Sequence, residues 1–121
     1  MIKGVVTPAG DATVPVRVRG PNAELEVTVI VDTGFSEKLS LSRSVIEALG
    51  LPLREEERFM LADGTVTVLR IFRAEVLWLG EWKVVGAAQI DDEHLIGMGM
   101  LHGSQLIIQV VEGGSVRIEP M

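Results

Sequence analysis

Valine alternates with other residues through Thr13-Val14-Pro15-Val16-Arg17-Val18-Arg19, the period-two pattern of a strand with one buried face. Pro15 has no N–H to give to a ladder, which demotes this strand towards a sheet edge. After a turn at Gly20-Pro21-Asn22, alternation resumes over Glu24-Leu25-Glu26-Val27-Thr28-Val29-Ile30-Val31 and then loses its polar face. The second arm of this hairpin therefore runs into the interior and ends at Asp32-Thr33-Gly34.

Further along, Leu39 and Leu41 mark a short strand, and Ser42 stands as an N-cap before a helix over residues 43–49. Val45, Ile46 and Leu49 share one face of that helix, and Gly50 and Pro52 stop it. The charged run Leu53-Arg54-Glu55-Glu56-Glu57-Arg58 reads as a solvated connection. Asp63-Gly64 between the apolar arms of 59–68 predicts a hairpin with its tip at those two residues. The apolar positions Val66, Val68, Leu69, Ile71 and Phe72 change phase, so this arm carries a bulge or passes from one sheet to another. Gly80-Glu81 predicts the turn of another strand pair, and Met98-Gly99-Met100-Leu101 after Leu95-Ile96-Gly97 predicts one helical turn. Leu106 to Val111 reads as a buried strand, turned back at Gly113-Gly114 into a last alternating strand over 115–119. Neither an internal repeat nor a low-complexity segment interrupts this pattern.

Composition sharpens the fold class. Hydrophobic residues make up 47% of 121 but aromatics only 4%, so the core is built from Val, Ile and Leu and the chain is expected to be mainly β. The length suits a single domain over residues 1–121 and is short for two lobes. A formal charge of −6, with no basic run, opposes a nucleic-acid partner. The absence of cysteine excludes a disulfide framework and a thiolate nucleophile. No stretch approaches the span of a bilayer and no apolar leader opens the chain, so no membrane partner and a cytoplasmic location are the expectations.

Chemistry concentrates at Asp32, an acid at the end of a β-branched run, where a charge is expected to be hydrogen-bonded or used. The plain alternative is a strand ending in an Asx turn. Asp91-Asp92-Glu93-His94, with His102 beyond, offers metal-ligating side chains but neither HExxH nor calcium-loop spacing, so no metal site is expected. Gly97-Met98-Gly99 begins like a dinucleotide fingerprint, yet His102 stands at the last glycine and no βαβ pattern surrounds it. His94 and His102 have no Gly-x-Ser-x-Gly serine to act on. Met98 and Met100 read as packing.

Val31-Asp32-Thr33-Gly34, a hairpin tip at Asp63-Gly64 and Leu95-Ile96-Gly97 before a helical turn resemble, in kind and order, the retropepsin-like aspartic proteases, above all the small bacterial and archaeal members. The resemblance covers most of the chain. It implies a small closed β-barrel with one short α-helix, catalysis by Asp32 with Thr33 and Gly34, and a flap at Ala62, Asp63, Gly64 and Thr65 over a peptide substrate. It also implies that Ile96 and Gly97 brace the catalytic loop, and that no cofactor is needed. Two positions depart from the viral pattern: Phe35 follows D-T-G, and the tip has one glycine.

Peptide hydrolysis by carboxylates needs one group to activate water and another to protonate the carbonyl or the leaving amine. One D-T-G supplies one acid, so a second identical chain is the economical source of the other, and a homodimer is expected. Ile2, Val5 and Val6 with Val116 and Ile118 are expected to form an intersubunit sheet. The reading is an aspartic-type endopeptidase, a hydrolase; its alternative is a catalytically inactive dimeric module that binds peptides with the same fold.

Overall fold

Val14, Val16 and Val18 become the buried face of strand β2 (Ala12–Arg19), and Val27 and Val29 that of strand β3 (Glu24–Val31), with Arg17, Glu26 and Thr28 turned to solvent. The structure is a computed structural model and describes residues 1–91 and 93–121. Around that hairpin the described residues form β1 (Ile2–Val6), β4 (Leu39–Leu41), β5 (Leu53–Met60), β6 (Val66–Trp78), β7 (Glu81–Gln89), β8 (Leu95–Ile96), β9 (Ser104–Ile108) and β10 (Ser115–Pro120). Two short helices, α1 (Arg43–Leu49) and α2 (Met98–Leu101), complete a mainly β chain.

The strands pair in the order β5-β6-β7-β4-β8-β3-β2-β1-β10-β9, and a further pairing joins β6 to β2 through Arg17↔Leu77, Val18↔Val76 and Arg19↔Glu75. Strands β2, β3, β8, β4, β7 and β6 are thereby linked in a ring. Its interior is aliphatic, from Val14, Val18 and Val29 to Leu39, Leu41, Ile96 and Val76, with Trp78 as the one large aromatic group. Each such side chain contributes roughly 1.5–3 kcal/mol by leaving water. Helix α1 lays Ile46 and Leu49 on this core and ends at Gly50, whose φ of 67° returns the chain towards Leu51. At the β2–β6 seam, Arg19 binds Glu75 at 2.5 Å while its guanidinium lies 3.8 Å from the Trp82 ring centroid.

Several expectations are corrected. Pro15 is not on an edge: β2 pairs with β3 along one side and with β1 and then β6 on the other. Pro15 falls between those two partners, so the ladder on that side loses nothing by the missing N–H. The charged run 53–58 is not a connection but most of β5, paired with β6 from Leu53↔Phe72 to Met60↔Val66. Most of its side chains face water, so charge costs it little. The phase change in 66–72 comes from neither a bulge in that arm nor a change of sheet: the extra residue lies in β5, between Leu53 and Glu55, and β6 runs on past β5 into the ring within the same sheet. The β6–β7 turn is Leu79-Gly80, one residue earlier than expected, with φ of 50° and 86° as a type I′ turn requires.

The expected buried strand at 106–111 is shorter and peripheral. Strand β9 ends at Ile108 as the last strand of the order, and Val110 is 79% exposed. The intersubunit sheet is corrected too, because β1 and β10 pair within the chain through Ile2↔Ile118 and Gly4↔Val116. Among the described residues no helix is long and apolar enough to cross a membrane.

Replacing fully buried Leu41 by alanine is expected to lower the unfolding free energy by about 2–5 kcal/mol. Replacing Val110 is expected to change it by no more than about 0.5 kcal/mol. Urea unfolding followed by circular dichroism checks the pair, and equal shifts would contradict this core.

Candidate active site

Asp32 is set by the strand that precedes it. Strand β3 runs parallel to β8 with Ile30↔Leu95 and Val31↔Ile96 in register, and the Asp32 N–H extends the ladder by donating to the Ile96 carbonyl at 2.9 Å. Beyond that bond the chain turns sharply. The Asp32 carbonyl accepts the Phe35 N–H at 3.1 Å, and Asp32 Oδ1 accepts the Gly34 N–H at 2.9 Å. The plain Asx-turn reading is thus geometrically true, and it serves the chemical one: the same turn fixes the carboxyl's orientation while leaving it half-exposed. Thr33 and Gly34 are exposed beside it.

The brace lies directly behind. Strand β8 is held between β3 and β4, pairing with β4 through Leu39↔Ile96 and Ser40↔Leu95. Gly97 N–H donates to the Lys38 carbonyl at 3.2 Å and Met98 N–H to the Phe35 carbonyl at 2.8 Å, so the loop from 32 to 38 folds over residue 97. A Cβ there would meet the Phe35 oxygen at 2.2 Å and the Glu37 oxygen at 2.4 Å, which only glycine avoids. Ile96 and Gly97 are buried behind the loop.

The hairpin tip has its own closed geometry. Leu61 N–H donates to the Thr65 carbonyl at 2.7 Å and Gly64 N–H to the Leu61 carbonyl at 2.9 Å, with Gly64 at φ 86°. Asp63 Oδ1 accepts both the Thr65 N–H at 2.9 Å and the Thr65 hydroxyl at 2.6 Å, which holds the Asp63 carboxyl below its usual range. Ala62, Asp63, Gly64 and Thr65 are all exposed. The single chain thus brings Asp32, Gly34, Ile96 and Gly97 together, and carries 62–65 on a separate arm whose tip bonds are internal.

Two features were not anticipated. Ser40, flanked by Leu39 and Leu41, is completely buried; its hydroxyl donates to the Glu93 carbonyl at 3.3 Å and accepts the Leu95 N–H at 3.0 Å. A lone hydroxyl in an apolar strand was the available signal. Ser42 occupies the N-cap position of α1 but makes no capping bond with its side chain, which lies 3.0 Å from His94 Nε2 and 3.1 Å from the Ser44 hydroxyl. Burial pushes the His94 imidazole below the usual histidine range. Among the described residues no group of three or more His, Cys, Asp and Glu is arranged to hold a metal ion; Asp92, part of the acidic stretch noted in the sequence, lies outside them.

The family model described as aspartyl protease matches residues 14–101. Among solved structures, the retropepsin-like aspartic protease from Rickettsia conorii superposes with a TM-score of 0.57 at 16% identity, over 98% of this chain and 92% of that one. No curated protein is detectably similar in sequence. The fold is retropepsin-like.

Gly97→Ala is expected to destabilise the protein by about 1–3 kcal/mol, because the carbonyls of Phe35 and Glu37 must move to admit the methyl group; thermal unfolding measures it. A second expectation concerns pH. In the unfolded chain His94 binds a proton near its ordinary 6.5, whereas burial in the fold resists that charge. The stability from the neutral imidazole is therefore full above pH 6.5 and is lost as pH falls through the lower folded value. Unfolding midpoints should drop more between pH 7 and 5 for the native protein than for His94→Gln, and parallel curves would refute this.

Proposed function

Because the chain belongs to the aspartyl protease family, we propose that it is an aspartic endopeptidase working as a homodimer, with one Asp32 from each copy. The observation that carries this reading is the Asp32 turn: a backbone N–H held by the Ile96 carbonyl behind it, and a half-exposed carboxyl whose Oδ1 accepts the Gly34 N–H beside it. Residues 1–121 act as one domain, and the ring of strands is read as a small closed barrel.

Two carboxyls held close together cannot both ionise, so they share one proton. A water between them is then deprotonated by the charged partner as it attacks the peptide carbonyl, while the protonated partner donates to the carbonyl oxygen. No metal or organic cofactor enters this scheme. Thr33, exposed beside Asp32, fixes the two loops against each other, and the hairpin tip at 62–65 closes over the peptide. With β1 and β10 paired inside the chain, β9 is the free edge near the C-terminus, and Val110 and Val111 beside it are exposed. A second copy would satisfy such an edge.

Asp32→Asn keeps the shape of the side chain and removes the shared proton. It is expected to abolish cleavage of a diverse peptide library while leaving dimerisation, followed by sedimentation, intact. The native enzyme should give a bell-shaped pH profile, because acid fully protonates the pair and base strips it. Native-rate cleavage by Asp32→Asn, or full activity from a strict monomer, would reject the reading. Peptide binding without cleavage by the native protein would favour the inactive module.

A further inference from the structure

We infer that Ser40 and the Ser42–His94 pair form a clamp that sets the position of the Asp32 carboxyl, making the three of them positioning residues for the peptidase reaction; this rests on the reading of Asp32 given above.

The clamp follows from how short β8 is. A two-residue strand has few ladder bonds of its own, so its position depends on the segment that feeds it, residues 93–95. That segment is gripped from several sides. Ser40 bridges the Glu93 carbonyl and the Leu95 N–H, while Ser42, two residues further along, reaches the His94 imidazole at 3.0 Å. From β3, the Ile30 N–H donates to the His94 carbonyl at 2.8 Å.

The Ser40 hydroxyl adds a side-chain hold to the β4–β8 pairing, in which Ser40 and Leu95 are register partners. Leu95 N–H is buried and takes the hydroxyl as its acceptor, and the same hydroxyl donates to Glu93, so both of its capacities are used in a place without exposure. An alanine would leave the Leu95 N–H and the Glu93 carbonyl without this partner. Strand β4 would keep its own pairing to β7 through Leu39↔Ala87 and Leu41↔Gln89, so the fold has a second hold that the active loop lacks.

Transmission to the reacting group is short. Leu95 is followed by Ile96, whose carbonyl holds the Asp32 N–H. A shift at Leu95 therefore reaches Asp32 through one residue and one hydrogen bond. Misplacing a reacting group by about 1 Å can cost roughly 100-fold in rate. Loosening this clamp should therefore appear in kcat before it appears in substrate affinity.

The test compares Ser40→Ala, His94→Leu and His94→Gln with the native protein, reading kcat and KM separately and following amide hydrogen exchange at Asp32 by NMR. Ser40→Ala and His94→Leu are expected to lower kcat by about tenfold or more with KM within about twofold. In both, the Asp32 amide should exchange faster. Glutamine extends a side-chain amide to the reach of Nε2 and should restore most of the loss at position 94. Where Ser40→Ala does not fold, the two His94 variants carry the test alone. Unchanged kcat in folded variants, or faster exchange throughout the sheet with no excess at Asp32, overturns the clamp. A native protein that cleaves no peptide refutes the peptidase reading, and the clamp is then judged by the Asp32 exchange alone: faster in His94→Leu and rescued in His94→Gln supports it, and no difference overturns it.

Discussion

The site depends on one wedge. Strand β8 has two residues, yet it lies between β3 and β4, parallel to one and antiparallel to the other, and its Ile96 carbonyl accepts the Asp32 N–H. A strand so short cannot hold its place through its own ladder, so the surrounding atoms must hold it. Behind it is the core, where Ile96 is fully buried; beyond its C-terminal end is Gly97, where the loop crosses too closely for any side chain. The Ser40 hydroxyl meets the segment on its N-terminal side. Three different devices, a buried aliphatic group, a missing Cβ and a buried hydroxyl, meet within three consecutive residues.

That concentration sets the contrast with the hairpin of β5 and β6. There both strands leave the core, their bonds run mainly to each other, and Met60 at 76% and Val66 at 58% exposure face water. Few buried contacts and exposed backbone bonds put this arm at the low-stability end of the molecule. One end of β6, with Val76 and Trp78, is among the most buried parts of the chain, while its other end is in the arm, so a single strand runs from the core to the exposed arm. The extra residue of β5 at the register shift between Leu53 and Glu55 lies where the arm leaves the ring.

Much of this was legible in the chain because alternation and turn chemistry are local. Val14 to Val18, Val27 to Val31 and the Asp63-Gly64 tip follow from period and φ preference alone. The failures have non-local causes. Pro15 signals an edge only if β2 keeps one partner along each side, and the switch from β1 to β6 happens far away in sequence. Leu53 to Arg58 reads as a connection because charge is costly in a buried strand, whereas most side chains of β5 are exposed. The run from Leu106 to Val111 reads as buried because apolarity ordinarily means core, and here it lies at the periphery of the sheet order. At the site, Asp32, Thr33 and Gly34 announce themselves as a motif, and Ile96-Gly97 as a motif that supports it. Ser40 and His94 do not, since hydroxyls and imidazoles act through distances that no spacing encodes.

The polar arrangement around Asp32 bears on why one chain is insufficient under the proposed chemistry. Its backbone N–H, its carbonyl and its Oδ1 are each engaged within the protomer, by Ile96, Phe35 and Gly34 in turn. Those bonds fix where the carboxyl sits but include no second carboxyl. Coupling needs a like charge at short range. Among the described residues several other acids are occupied elsewhere: Glu75 with Arg19, Glu24 with Arg17, Glu47 with Arg43, Glu56 with Arg70, and Asp63 with its own turn. In the proposed homodimer a two-fold axis beside Asp32 would supply the missing partner in an identical environment, making the two acids equivalent until one of them takes the proton. Orientation is then a property of the protomer, and acid–base asymmetry a property of the pair.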